Sequence, residues 1–272
     1  MTWKGRTAAG AAALLLTTLI HAAGPARAQV SPPCFSAVVL AQRGGHHAEF
    51  VATARAWLSR LSADSNFVVD YIQSPDSLSR DFLARYSLFI QLDYPPYGWN
   101  DRAQAAFSDF IEEGRGGWLG LHHATLLGEF DGYPMWEWFS RFMGGVRFVN
   151  YIASFAAADV IVEEGAHPLF VGVPPVFRVQ KDEWYVYDRS PRADVRVLAR
   201  VNEESYVPAS TIRMGDHPVI WTNEHVRARN VYIFMGHDPG LFRNPAYTTL
   251  LRNAIFWAAG HSARPADPRE TR

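Results

Sequence analysis

A chain of 272 residues, 48% of them hydrophobic, is long enough for one large domain, or a domain with an insertion, and can bury a full core. Its 26 basic and 27 acidic side chains nearly cancel, which gives no reason to expect nucleic acid or an anionic membrane as partner. With Cys34 as the single cysteine no internal disulfide can form, so stability has to come from packing.

Residues 1–28 have the three parts of a secretory signal peptide: Lys4 and Arg6, an uncharged stretch from Ala8 to Ile20, and the small-residue exit Ala26-Arg27-Ala28. The stretch is too short for a membrane anchor, which needs about 20 apolar residues. Cleavage and export to the periplasm or beyond are the expectation. Loss of Lys4, Arg6 and Arg27 leaves 23 bases against 27 acids, a net charge of −4. Residues 29–35 then form a leader, 36–260 the domain, and 261–272 a polar tail. Cys34, in the Ser-Pro-Pro leader, reads as a tail residue.

Ser36–Leu40 reads as a buried strand ending at Arg43-Gly44-Gly45. Apolar positions at Phe50, Val51, Ala54, Trp57, Leu58 and Leu61 have helical spacing over Ala48–Leu61. Phe67–Ile72 is a second strand, Leu78–Tyr86 a short helix, and Ser87–Leu92 a third strand. A helix capped by Asn100 runs to Gly114, and Gly117–Leu121 is a fourth strand. Alternation of this kind predicts a parallel sheet with helices on both faces. Asp131–Met143 is expected to be another helix. From Val146 to Val219 the short β-like runs Ala158–Glu163, Val176–Gln180 and Val195–Val201 suggest added antiparallel strands. Val231–Met235 returns to a buried strand, and Asn244 to Trp257 closes the fold as a helix.

Ligands of an open parallel sheet bind beyond the carboxyl ends of its strands. There the sequence places His46 and His47, Asp93, His122 and His123, and His237-Asp238. Gly120-Leu121-His122-His123-Ala124 has the shape of a strand-to-helix elbow with a histidine where elbow hydrolases carry a nucleophile, which argues against acyl-enzyme chemistry. Asp182-Glu183-Trp184-Tyr185 offers carboxylates to sugar hydroxyls and aromatic faces to a sugar ring. His167-Pro168 and His217-Pro218 are extended dipeptides that read as structural.

Together these pieces resemble the ThuA-like family, whose fold is like that of class I glutamine amidotransferases. The likeness runs from Val38 to Gly260. It is carried by Arg43-Gly44-Gly45-His46-His47, the run Gly116–Ala124, Gly144-Gly145, His167-Pro168, Asp182–Tyr185, His217-Pro218 with Trp221, Gly236-His237-Asp238 and Asn253–Gly260. The resemblance implies an α/β, doubly wound, mainly parallel flavodoxin-like sheet with added antiparallel strands. It also implies a link to carbohydrate metabolism, especially keto-sugars and their glycosides, and loss of the amidotransferase triad. One departure is that Gly145 is followed by Val-Arg-Phe-Val-Asn-Tyr rather than by a nearby His-Pro, which withdraws any ligand role that histidine would carry.

The expected ligand is a small carbohydrate. The expected chemistry is acid–base, with His122, Glu183 and His237 as the catalytic set and His46, His47, Asp93, Trp184, Tyr185 and Asp238 binding substrate. Proton abstraction beside a carbonyl needs a base near neutrality and a stabiliser of the enediolate. A divalent metal on His47, His122 and His237 would serve the second need. Isomerase, lyase and hydrolase reactions stay open. The rival reading is a non-catalytic carbohydrate-binding module that stacks sugars on Tyr94, Tyr97, Trp99, Trp136 and Trp184. An amidase lacks a placed nucleophile.

Overall fold

The computed structural model describes residues 1–2, 32–41 and 44–261; residues 3–31, with nearly all of the expected signal segment, Gln42-Arg43 and the tail from 262 lie outside them. The chain divides into Met1–Pro32 and Pro33–Arg272, and every element below belongs to the second unit.

Five strands form the parallel half of the sheet. The first, β1 (Ser36–Ala41), is followed by α1 (Ala48–Ser65), β2 (Val68–Ile72), the single turn α2 (Arg80–Leu83) and β3 (Leu88–Leu92). Then come α3 (Asp101–Glu112), β4 (Gly117–Leu121) and the short α4 (Glu137–Phe142). Asn100 caps α3, its side chain accepting from the Ala103 N–H at 2.9 Å. The antiparallel additions are β5 (Phe148–Tyr151), β6 (Ala156–Val162), β7 (Val176–Asp182), β8 (Tyr185–Tyr187), β9 (Arg196–Val207) and β10 (Pro218–Thr222). The chain then re-enters the parallel half as β11 (Asn230–Ile233) and ends on α5 (Pro245–Ala258).

The large sheet has the order β2-β1-β3-β4-β11-β10-β9-β6-β7, parallel from β2 to β11 and antiparallel from there to β7. This is the doubly wound arrangement expected, with four antiparallel strands extending one edge. Strands β3, β4, β10 and β11 are buried along their whole length, as strands covered on both faces must be. Two separate aromatic layers do the covering. Phe256 of α5 packs on Phe35 and Phe67. On β3 and β4, Phe89 and Trp118 are register partners that pack against Phe107 of α3 and Phe139 and Phe142 of α4.

The expected helix over Asp131–Met143 is shorter than predicted and covers only its second half. Asp131 and Gly132 take left-handed backbone (φ 52° and 81°), and Pro134 keeps Tyr133 out of the α region, so 130–133 closes as a turn. Strand β9 extends to Val207, six residues past the predicted end, because β6 pairs with it that far, Asp159 opposite Asn202 and Ala157 opposite Val207. The 146–219 segment also folds part of itself away: β5 and β8 pair as a separate two-stranded ribbon.

Candidate functional site

The carboxyl ends of β1, β3, β4 and β11 converge. His47, at the start of α1, and Asp93, just past β3, bring Nδ1 and Oδ2 to 3.5 Å. His123 places Nδ1 3.8 Å from Asp93 Oδ1, and its backbone N–H lies 3.4 Å from the same oxygen. His122 Nε2 is 3.3 Å from Glu183 Oε2. The ring of His47 lies 4.0 Å from that of His123, 4.1 Å from His237 and 5.1 Å from His122. Ligand-type atoms of His47, Asp93, His122 and His123 all fall within 4.8 Å of one another, and so do those of His47, Glu183 and His237.

Four buried atoms in this cluster have no hydrogen-bond partner: His47 Nε2, Asp93 Oδ2, His122 Nε2 and His123 Nδ1. The 3.3 Å approach of His122 Nε2 to Glu183 is therefore close but not aligned as a hydrogen bond. Each such orphan costs about 1–3 kcal/mol unless something completes it. One tautomer is set: His122 Nδ1 sits 3.2 Å from the Phe234 carbonyl, which can only accept, so Nδ1 carries the proton and Nε2 presents a lone pair to the cluster. A ring nitrogen tied to a backbone carbonyl is the usual support of a metal-ligating histidine.

Burial sets the protonation of the site. It pushes His122 down to about 3, with neighbouring His237 adding and the Phe234 carbonyl opposing. His47, His123 and His237 are also lowered, first by burial; for His47 and His123 the surrounding imidazoles add to this, whereas Glu183 opposes it at His237. Burial raises Asp93 well above the carboxylate range, against the His123 N–H, and raises Glu183 more moderately. The site is thus a nest of neutral imidazoles facing carboxylates.

The backbone around it is unusual. Among the described residues, five non-glycines have left-handed φ, and three of them are Asp93 (55°), His122 (38°) and Phe155 (54°), all at this site. His122 is held in its elbow from beneath: Tyr232 Oη donates to its carbonyl at 2.9 Å, Thr125 Oγ1 lies 3.1 Å from that oxygen, and Tyr187 Oη is 2.6 Å from Thr125 Oγ1. Gly236 gives the room the elbow needs, since a Cβ there would come within 2.7 Å of His122 Cβ.

The cluster opens into a pocket of about 340 Å³ lined by His46, His47, His123, Glu183, Tyr185 and His237, with Leu126, Phe148, Tyr151, Ala153 and Phe155 on its apolar side. A larger cavity of about 530 Å³ lies where β7 meets the turn 239–243. We place the chemistry in the smaller one. The larger has two of its charges already paired, Arg178 with Asp159 (3.1 Å) and Lys181 with Asp238 (2.9 Å), and none of the orphaned atoms.

Of the residues expected from sequence, His46, His47, Asp93, His122, Glu183, Tyr185 and His237 meet here. Two do not. Trp184 is fully buried, donates Nε1–H to the Ala156 carbonyl at 2.8 Å and stacks on Phe234, so it is a core residue rather than a sugar platform. Asp238 turns to Lys181 and caps the turn 239–243. Asp182 is also internal. It accepts from the Gly236, His237 and Glu183 N–H groups, which holds the His237 loop against β7, and burial lifts it to about 8 despite those donors. Trp99 and Trp136, named for stacking with Trp184, are buried as well. The expected metal trio is redistributed: His122 groups with Asp93 and His123, His237 groups with Glu183, and His47 belongs to both sets. His123, which has no expected role from the sequence, joins the cluster, and its place at the elbow beside His122 is the signal that points to it. His167 and His217 lie elsewhere, one capping the turn 168–170 and the other bound to Glu203 at 2.9 Å.

Comparison with known proteins agrees with this architecture. A family model described as ThuA, trehalose utilisation, matches residues 36–258. A ThuA-like protein of Bacteroides uniformis superposes with a TM-score of 0.73 at 26% identity, covering 86% of this chain and 95% of that one. A ThuA-like protein of Parabacteroides merdae gives 0.63 at 18% identity, covering 88% and 94%. A cytoplasmic protein of Salmonella typhimurium shares the fold at 0.54 and 13% identity, covering 82% and 98%. No functionally curated protein matches significantly. A match spanning the whole sheet, from the first residue of β1 to the last of α5, makes this chain a member of the ThuA family.

Proposed function

We propose that the pocket is a divalent-metal centre that handles a sugar, keto-sugar or glycoside by histidine–carboxylate acid–base chemistry. The family's description as trehalose utilisation supports a carbohydrate role. The observation that carries the metal is the set of four buried, unpartnered atoms on His47, Asp93, His122 and His123, three imidazole nitrogens and one carboxylate oxygen. Mixed imidazole and carboxylate donors suit zinc, manganese or iron(II). When bound, such an ion supplies a Lewis acid for a carbonyl or hydroxyl oxygen.

The remaining residues supply proton transfer. Glu183 is partly exposed at the pocket wall, and burial moves its carboxyl up toward neutrality, the direction a general base needs. His237, in the loop after β11, faces the same space and can pass a proton at its ring nitrogen. Tyr185, tilted over His122 at 4.5 Å, shields the floor from water. Export is part of the proposal and rests on the N-terminal Lys4/Arg6, Ala8–Ile20 and Ala26-Arg27-Ala28 pattern; N-terminal sequencing of the mature protein should begin near Gln29.

Elemental analysis of protein purified without chelator tests the centre. About one equivalent of transition metal is expected, lost in His47→Ala and Asp93→Asn with the fold intact. A protein that is metal-free as purified and takes up no zinc, manganese or iron by calorimetry would refute it. Turnover of a saccharide, abolished by Glu183→Gln with metal retained, separates an enzyme from a binding module.

A further inference from the structure

The ribbon formed by β5 and β8 supplies no ligand to the cluster, yet it forms the outer wall of the pocket. Phe148 and Tyr151 lie three residues apart on β5, and in a regular strand such residues point to opposite faces. Here the pairing slips between Phe148, opposite Tyr187, and Asn150, opposite Val186, so Val149 is an extra residue. That bulge reverses the parity and turns both rings to one side, a recurrent use of bulges beside active sites. The two rings sit 6.2 Å apart at 35° to one another and both stand edge-on to Tyr185. Tyr151 remains 40% exposed at the mouth, a large aromatic with little to cover it. Phe155 completes the wall from a strained left-handed backbone, its ring 4.7 Å from that of His237. Strain of this kind at a non-glycine residue gathers at ligand sites.

Glu183 also lines the pocket, and among the described residues no Lys or Arg does. Lys181 lies near, over the Phe155 ring, but is paired with Asp238. Aromatic faces are themselves electronegative. A phosphate or carboxylate on the part of the ring that rests on this wall would therefore meet a carboxylate and π-faces without a side-chain cation, while the proposed metal on His47, Asp93, His122 and His123 would be taken up by the reacting oxygen. A pyranose presents one apolar C–H face and a rim of hydroxyls, which match the aromatic rings and the Glu183 carboxyl respectively. At about 340 Å³ the space lies at the small end of ligand pockets, suited to one or two sugar rings.

We propose that Phe148, Tyr151 and Phe155 are a stacking wall for the ring of an uncharged sugar, and that this wall excludes sugar phosphates and uronates. The inference rests on the carbohydrate reading above and names the substrate class of that site.

Calorimetry on the mature protein tests it, with glucose, methyl α-glucoside, trehalose and sucrose as neutral probes and glucose 6-phosphate and trehalose 6-phosphate as charged ones. At least one neutral probe is expected to bind, with its phosphate weaker by about tenfold or more. Tyr151→Ala should weaken the neutral probe by about tenfold and Tyr151→Phe should restore it, with metal content unchanged in both. Tyr151 is exposed, so loss of fold does not confuse the result; Phe148→Ala provides the second variant. Phosphates binding as tightly as neutral sugars, alanine variants within about twofold of the parent, or no probe binding at all would each overturn the wall. Metal content is read separately. Sugar binding through Tyr151 in a protein that takes up no metal would sink the centre and leave the wall, and metal uptake without any sugar binding would do the reverse.

Discussion

Trp184 separates a core role from a sugar-binding one. Its indole is buried against Phe234 at 5.4 Å, nearly parallel, and its Nε1–H satisfies the Ala156 carbonyl at the start of β6. Trp184→Ala removes the largest side chain in that layer and leaves a cavity, a change that typically costs about 3–5 kcal/mol. Against a domain stability of about 5–15 kcal/mol, that is about a fifth of the total or more. Trp184→Phe keeps most of the stack but leaves the Ala156 carbonyl without its donor, which should cost about 1–3 kcal/mol. Equilibrium urea unfolding at neutral pH reads both, and the expected order is parent, Phe, then Ala. Saccharide affinity of the folded Phe variant should match the parent. An unchanged unfolding midpoint together with lost sugar binding would show that Trp184 faces the ligand, contrary to the structure.

Gly236→Ala should push His122 out of its elbow, because the new methyl meets His122 Cβ at 2.7 Å; metal uptake is expected to fall by about tenfold or more, at a stability cost of about 1–3 kcal/mol. Retention of full metal affinity would mean that the elbow can relax. Asp182→Ala strips the acceptor from the Gly236, His237 and Glu183 N–H groups and should destabilise by about 2–5 kcal/mol, with faster amide exchange at 236–237 as the local signature. Glu203 gives a pH-dependent case. Its burial alone would raise it, but the hydrogen bond with His217 and those from the Met214 and Gly215 N–H groups outweigh burial and hold it below its ordinary 4.5. A depressed carboxyl contributes stability that is complete above its unfolded value and fades as pH falls through the folded one. Glu203→Gln should thus be less stable than the parent at pH 7, with the gap closing at pH values below about 4.5; a gap that widens on acidification would contradict the sign.

Local chemistry carried much of this protein in its sequence. Burial of β1, β3, β4 and β11 shows as nearly continuous apolar runs, broken only by Ser36, Gln91 and Asn230, and a parallel sheet between helix layers forces such runs, so these strands of the doubly wound half could be read from the sequence. The site edge was legible for the same reason: once those four strands are parallel, His47, Asp93, His122 and His237 must emerge at one end. Helix limits failed where backbone conformation overrode apolar spacing, as at Asp131, Gly132 and Pro134. Neither orientation nor partnering of side chains has a one-dimensional signature. Trp184 and Tyr185 are neighbours in sequence, yet alternation along the chain sends one into the core and the other to the pocket, and which is which depends on how β8 pairs with β5. The aromatic wall depends on a single extra residue, Val149, whose effect exists only against a partner strand. Tertiary structure alone decided that His123 and Asp93 join His47 and His122, because four buried atoms without partners are a property of the packed cluster and of none of its residues separately.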